Sequence, residues 1–183
     1  MISPVPSVQI DTLFSSEEIA VRTLAMAHEI RRAGFTDNVL VVAVLKGSFV
    51  FAADLIRALH HADISPLVDF ISLSSYRSGT QSTGKVTVLR DLETDVAGRD
   101  VLLVDDILES GRTLAYAKSL ISSRGARRVA TAVLLEKPGK RAESFEAEFV
   151  GFLCPDKFVV GYGMDMGHHF RELPFIGMVV GAD

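Results

Sequence analysis

The run 39–45 is apolar without a break, and so is 101–104; both predict strands buried on two faces rather than one. The stretches 67–73, 86–89 and 129–135 predict three more strands. Between them the spacing becomes helical. Ser15-Ser16-Glu17-Glu18 offers a capping box, after which Ile19, Leu24, Ala27 and Ile30 recur until Gly34. Gly47 opens a second helix through Phe51, Leu55 and Leu59, which ends near His60 and His61. A third runs over 113–122, with Leu114, Ala117, Leu120 and Ile121 on one side. Strands alternating with helices predict an α/β fold with a doubly wound, mostly parallel sheet. Beyond Pro138 the texture changes to charged residues, then aromatics, Gly and Pro. That stretch, 138–183, is expected to form a small hood with 1–14, on a single domain spanning 1–183, and no internal repeat or low-complexity tract is present.

Composition narrows the setting. A chain of 183 residues, 48% of them hydrophobic, suffices for one well-buried domain. The net charge is −4 and the basic residues are scattered, which argues against nucleic acid as a partner and makes any phosphate recognition local. The single cysteine, Cys154, excludes an intramolecular disulfide framework and a cysteine-based zinc site; its place before Pro155 predicts a packing role in a reducing compartment. No apolar segment is long enough to span a bilayer, and 1–11 lacks the basic-then-apolar order of a signal peptide. The expectation is a cytoplasmic protein with no membrane partner.

The most informative chemistry lies just after the strand at 101–104. Asp105 and Asp106 are followed by Glu109 and then by Ser110-Gly111-Arg112-Thr113, where a helix begins. The unpaired N–H groups of a helix start attract an anion, Gly111 lets backbone approach closely, and two hydroxyls donate hydrogen bonds, so 110–113 suits a monophosphate. Ionised Asp105 and Asp106 only accept hydrogen bonds and would repel that anion; they suit the hydroxyls of a ribose diol. The plain alternative is that the acids close a strand and Ser110 caps a helix.

These residues resemble the 5-phosphoribosyl-1-pyrophosphate (PRPP) motif of the type I phosphoribosyltransferases, and the rest of the chain is similar to the hypoxanthine-guanine branch of that family. Leu45-Lys46-Gly47 resembles its pyrophosphate loop, Ser75-Tyr76 its mobile lid, and 156–162 with Asp165, Phe170 and Arg171 its purine-binding hood. The resemblance implies that Lys46, Gly47 and Arg171 meet the pyrophosphate and that the Leu45-Lys46 peptide is cis. It also implies that Lys137 contacts the purine 6-oxo group, Phe158 stacks on the base, Val159 offers backbone groups and Asp165 helps bind the base and magnesium. Asp105 and Asp106 would share in the metal site, and Glu109 would be the general acid/base at N7, where the family usually has Asp. The implied reaction moves the phosphoribosyl group of PRPP to N9 of hypoxanthine or guanine in a Mg²⁺-dependent homodimer or homotetramer.

Each residue also has a plainer reading: Lys46-Gly47 as an ordinary turn, Lys137 as a solvated lysine, Phe158 and Tyr76 as packing, Asp165 and Arg171 as a surface ion pair, and His168-His169 as solvated. Two other functions compete, a PRPP-sensing regulator that binds nucleic acid and a transferase for xanthine or another base. Gly79 to Lys85 satisfies the first seven positions of a nucleotide-binding P-loop, but Val86 fills the eighth and the context predicts a strand where that loop needs a helix.

Overall fold

The computed structural model describes residues 7–78 and 81–181, with the backbone alone for 75–78 and 81–85. In chain order the elements are β1 (Ile10–Phe14), α1 (Ser16–Arg32), β2 (Leu40–Leu45), α2 (Phe49–His61), β3 (Leu67–Ser78), β4 (Gln81–Arg90), β5 (Asp100–Leu108), α3 (Arg112–Ser123), β6 (Arg128–Glu136), β7 (Phe149–Leu153), β8 (Val159–Val160) and β9 (Ile176–Val179). The capping box forms as the sequence predicts. Glu18 N–H donates to Ser15 Oγ at 3.2 Å, and Ser15 N–H donates to the Glu18 carboxylate at 2.8 Å. Ile19, Thr23, Met26, Ala27 and Ile30 then form the buried side of α1.

Six strands make the main sheet in the order β4-β3-β2-β5-β6-β7. All neighbours are parallel except the edge pair β3 and β4. Val41, Ala43, Leu102 and Val104 face α1 and α2, whereas Leu40, Val42, Val44, Val101 and Leu103 face α3 and the segment carrying Val96. Both sides of β2 and β5 are therefore dry, which is why their sequences show no polar alternation.

From β2 the chain moves to β3 on one side, and from β5 it moves to β6 on the other. The loops after β2 and β5 thus diverge to opposite faces and leave a crevice at the carboxyl ends of these adjacent strands. Ligands bind open α/β sheets at such a reversal of strand order.

Two expectations change. The stretch 138–183 is not all hood, since β7 within it pairs in parallel with β6 as the outer strand of the main sheet. Its open edge is covered by Arg22 of α1, which donates to the carbonyls of Val150 at 2.7 Å and Gly151 at 2.9 Å. A separate antiparallel sheet, β1-β9-β8, unites the N-terminal strand with the end of the chain. The second change concerns β5, which runs on to Leu108 rather than closing at 104. Of the P-loop-like stretch, 81–85 belong to β4 and not to a helix, and Gly79 and Thr80 lie outside the described residues.

Candidate active site

The end of β2 and the end of β5 build one wall together. The Leu45-Lys46 peptide is cis. Gly47 backs directly onto Asp106: a Cβ at this glycine would lie 1.9 Å from Asp106 Oδ2. Gly163, at φ +100°, presses in turn on Gly47, and a Cβ there would lie 2.3 Å from the Gly47 carbonyl oxygen. Two glycines therefore let the loop after β2, the acidic strand end and the hood meet without intervening side chains.

Because β5 continues past 104, Asp105 and Asp106 sit on the strand and not in a turn. Asp105 is in register with Val133 and Ile107 with Leu135, so the backbone stays extended through both acids. Asp105 is buried. Burial, followed by the charge of Asp106, pushes the Asp105 carboxyl well above its usual range. Asp106 is also raised, chiefly by burial; Arg171 acts in the opposite direction through its charge. Asp105 Oδ1 accepts the Asp106 N–H at 3.0 Å, and Asp106 Oδ1 accepts the Ile107 N–H at 3.0 Å, which fixes both side chains.

After Leu108 the chain turns. Gly111 takes φ +80° as the N-cap of α3, a conformation that favours glycine, and brings no capping side chain. Ser110 Oγ accepts the Arg112 N–H at 3.4 Å. A cavity of ≈ 270 Å³ opens above the turn, lined by Lys46, Gly47, Asp105, Asp106, Glu109, Ser110, Gly111 and Thr113 among others. Hydroxyls, backbone N–H groups and a helix start on one side with carboxylates on the other match the polarity of a phosphorylated diol.

A second cavity of ≈ 320 Å³ shares Asp106, Ile107 and Glu109 with the first and adds Lys137, Phe158, Val159, Met164 and Asp165. Lys137 is buried at the end of β6, so it is not the solvated lysine of the plainer reading, and its Nζ lies 3.8 Å from Glu109 Oε1. Phe158 is half-exposed at the rim and Val159 is buried on β8. Ring, donor and backbone edge surround a space suited to a flat heterocycle. Met164 was not legible beforehand, because one methionine in a Gly-rich loop carries no periodic signal.

Asp165 and Arg171 do form an ion pair, at 2.6 Å, and Arg171 Nη1 also donates to the Gly163 carbonyl at 2.6 Å. Asp165 accepts the His168 N–H at 2.7 Å. Arg171 is outside the lining of both cavities but touches the hood segment that covers them. The side chains of Ser75 and Tyr76 lie outside the described residues. Among the described residues no group of three His, Cys, Asp or Glu converges as a metal site, and no helix is long and apolar enough to cross a membrane. A larger cavity, ≈ 880 Å³, lies elsewhere, between α1, α2 and the hood, with Leu24, Phe49, Val50 and Ala58 in its walls. Its apolar surface lacks the polarity of the cleft.

Residues 9–166 match the family model described as the phosphoribosyl transferase domain. The hypoxanthine phosphoribosyltransferase of Escherichia coli K12 is 39% identical over 176 residues, covering 95% of this chain and 97% of that protein. A solved hypoxanthine-guanine phosphoribosyltransferase of Bacillus anthracis superposes with a TM-score of 0.87 at 42% identity, over 95% of this chain and 100% of that one. The bifunctional protein TilS/HprT of Listeria innocua serovar 6a is 42% identical over 167 residues, and there the chain spans 25% of the relative's length.

Proposed function

We propose that this chain, which belongs to the phosphoribosyl transferase domain family, is a purine-salvage enzyme that transfers the 5-phosphoribosyl group of PRPP to N9 of hypoxanthine or guanine, giving IMP or GMP and pyrophosphate. The observation that carries the reading is the meeting of two cavities, one phosphate-like and one base-like, along Asp106, Ile107 and Glu109. C1 of the sugar belongs at that seam, between the nucleophile and the leaving group.

In this reading the 5′-phosphate rests on Ser110, Gly111, Arg112 and Thr113, and Asp105 and Asp106 accept hydrogen bonds from the ribose hydroxyls. Lys46 backbone, Gly47 and Arg171 bind the pyrophosphate. Phe158 stacks on the base, Val159 offers it backbone groups and Asp165 lies at its edge. Lys137 has only donors, so it meets the 6-oxo acceptor of hypoxanthine, guanine or xanthine and suits adenine's amino group poorly. N9 forms its bond to C1 as the C1–oxygen bond to pyrophosphate breaks, and the Glu109 carboxylate accepts the proton that the base loses from N7. Ser75 and Tyr76 belong to the lid that excludes water.

Magnesium fits this donor set: hard carboxylate oxygens, two of them crowded together and one of these buried, and too few protein ligands to complete a shell without substrate oxygens. Asp165 would lie close to an ion, with Asp105 and Asp106 acting chiefly through the sugar hydroxyls that would share it, and when bound it supplies positive charge to the leaving pyrophosphate. A cytoplasmic homodimer or homotetramer completes the proposal.

The test supplies PRPP and magnesium with hypoxanthine, guanine, xanthine or adenine in turn and follows nucleotide formation. Turnover of the 6-oxopurines with adenine inert is expected. Adenine as the sole substrate overturns the role of Lys137, and no nucleotide from any base overturns the reading as a whole.

A further inference from the structure

The guanidinium of Arg141 lines neither cavity, yet it holds the backbone of residues that line both. Nη1 donates to the Glu109 carbonyl at 2.7 Å and the Leu108 carbonyl at 3.1 Å, with a longer contact to the Lys137 carbonyl at 3.4 Å. Nε donates to the Phe145 carbonyl at 3.1 Å, and Nη2 pairs with the Glu136 carboxylate. The next two N–H groups, of Ala142 and Glu143, donate to the Ser110 carbonyl at 2.9 and 3.2 Å. Gly111 makes room for this packing, since a Cβ there would lie 3.1 Å from Phe145 Cβ and 3.7 Å from Arg141 Cδ.

We propose that Arg141 is a positioning residue that fixes Glu109 and Lys137 relative to each other across the base cavity, an inference that rests on the function proposed above. The ladder between β5 and β6 ends at Leu108 opposite Glu136, with one further bond from Lys137 N–H to the Leu108 carbonyl at 2.9 Å. Glu109 lies one residue beyond that ladder. Arg141 extends the connection by that residue and anchors itself on Glu136, so the proton-transferring carboxylate and the base-reading ammonium are carried on one braced piece of backbone. The planar fork of a guanidinium presents five N–H donors in fixed directions, whereas a lysine ammonium presents three from a single point. Charge alone therefore does not substitute.

Arg141→Lys keeps the charge and most of the stem and removes the fork. The expected result is a fall in kcat of about 10- to 100-fold, the scale of a small misplacement of reacting groups, with a raised KM for the base. Inhibition by pyrophosphate, whose proposed contacts at Lys46, Gly47 and Arg171 are not held by Arg141, stays within about twofold of the parent, a split that general loosening of the fold would not produce. Rates are scaled to the folded fraction from circular dichroism and thermal melts, and the parent is assayed alongside. A second variant, Glu136→Gln, weakens the anchor and is expected to show the same pattern at smaller amplitude. It carries the test where Arg141→Lys does not fold. An unchanged kcat and base KM in a folded variant overturns the proposal, as does a loss that disappears once rates are scaled to the folded fraction. A parent without phosphoribosyl transfer sinks the functional reading and the brace with it; an active parent with an unaltered variant sinks the brace alone.

Discussion

Asp100 opens β5 and Asp105 lies five positions further along, toward its carboxyl end, with nearly equal exposure of 7% and 8%. Their electrostatics are opposite. At the entry to the strand, Asp100 accepts from Arg127 Nε at 2.8 Å and from Arg128 Nη2 at 3.0 Å, and these guanidinium groups hold its carboxyl below the usual range. At the exit, Asp105 has a second carboxylate beside it, and burial drives its carboxyl far upward. One acid is satisfied by the protein that carries it. The other is kept in a state that the hydroxyl-bearing, cation-bridged ligand proposed above would relieve, at the expense of the resting fold.

The strongest way to break this contrast is to neutralise the exit. Asp105→Asn with Asp106→Asn keeps the shapes and removes both charges. If the acids hold the ribose, turnover falls by at least about 100-fold, since each charge-assisted hydrogen bond contributes roughly 1.5–3 kcal/mol. The same variant is expected to melt at a higher temperature than the parent at pH 7 in magnesium-free buffer. The direction follows from linkage: a carboxyl raised in the folded state binds its proton more readily than in the unfolded chain, so the parent gains stability as pH falls through the folded value toward the ordinary 3.8. The advantage of the Asn variant should therefore shrink with acidification. A variant that melts below the parent at pH 7 would show that the acids are already satisfied without ligand.

Neutralising the entry gives the sharper half of the comparison. Asp100→Asn leaves two arginines without their partner, Arg127 largely exposed and Arg128 partly so, and is expected to destabilise by about 1 kcal/mol while turnover per folded molecule stays within about twofold. Its pH dependence has the reverse sign. A carboxyl held below 3.8 contributes stability that is present above that pH and lost as pH falls through the folded value, so parent and variant converge in acid. Melts of the parent, the entry variant and the exit variant across pH 3–7 separate the two ends directly.

The two ends were not equally legible in the sequence. The turn proposed to hold the phosphate is contiguous, and the change from apolar strand to acids, small residues and helical spacing could be read from residue chemistry alone. The strand limit could not: Asp105 and Asp106 look like a strand end locally, and only pairing with β6 keeps the backbone extended through them. The base cavity draws on the ends of β5 and β6 and on the hood, so resemblance and not spacing placed Lys137, Phe158 and Asp165. β7 was missed because 149–153 follows a charged stretch and is short; its place depends on a parallel partner and on Arg22 from a distant helix. Arg141 left no signal, since most of its acceptors are backbone carbonyls, which every sequence supplies.

Glu109 gives the most discriminating test, because it lies just past the same strand yet is tied in neither of the two ways. Its side chain is 43% exposed and its carboxylate is 3.8 Å from the ammonium of Lys137, a contact too long to fix a rotamer as the paired arginines fix Asp100. A loosely held carboxylate should tolerate a change of length better than a loss of charge. Glu109→Asp draws the group back by up to about 1.5 Å and keeps its charge. It is expected to lower kcat by less than about tenfold, whereas Glu109→Gln, which keeps the length and removes the base, is expected to lower it by about 10²-fold or more. PRPP binding should change little in either, because the phosphate turn and the acidic pair remain. An Asp variant as slow as the Gln variant would mean that this exposed acid is positioned as strictly as the acidic pair beside it, and the backbone brace from Arg141 would then be the device that makes a loose-looking side chain exact.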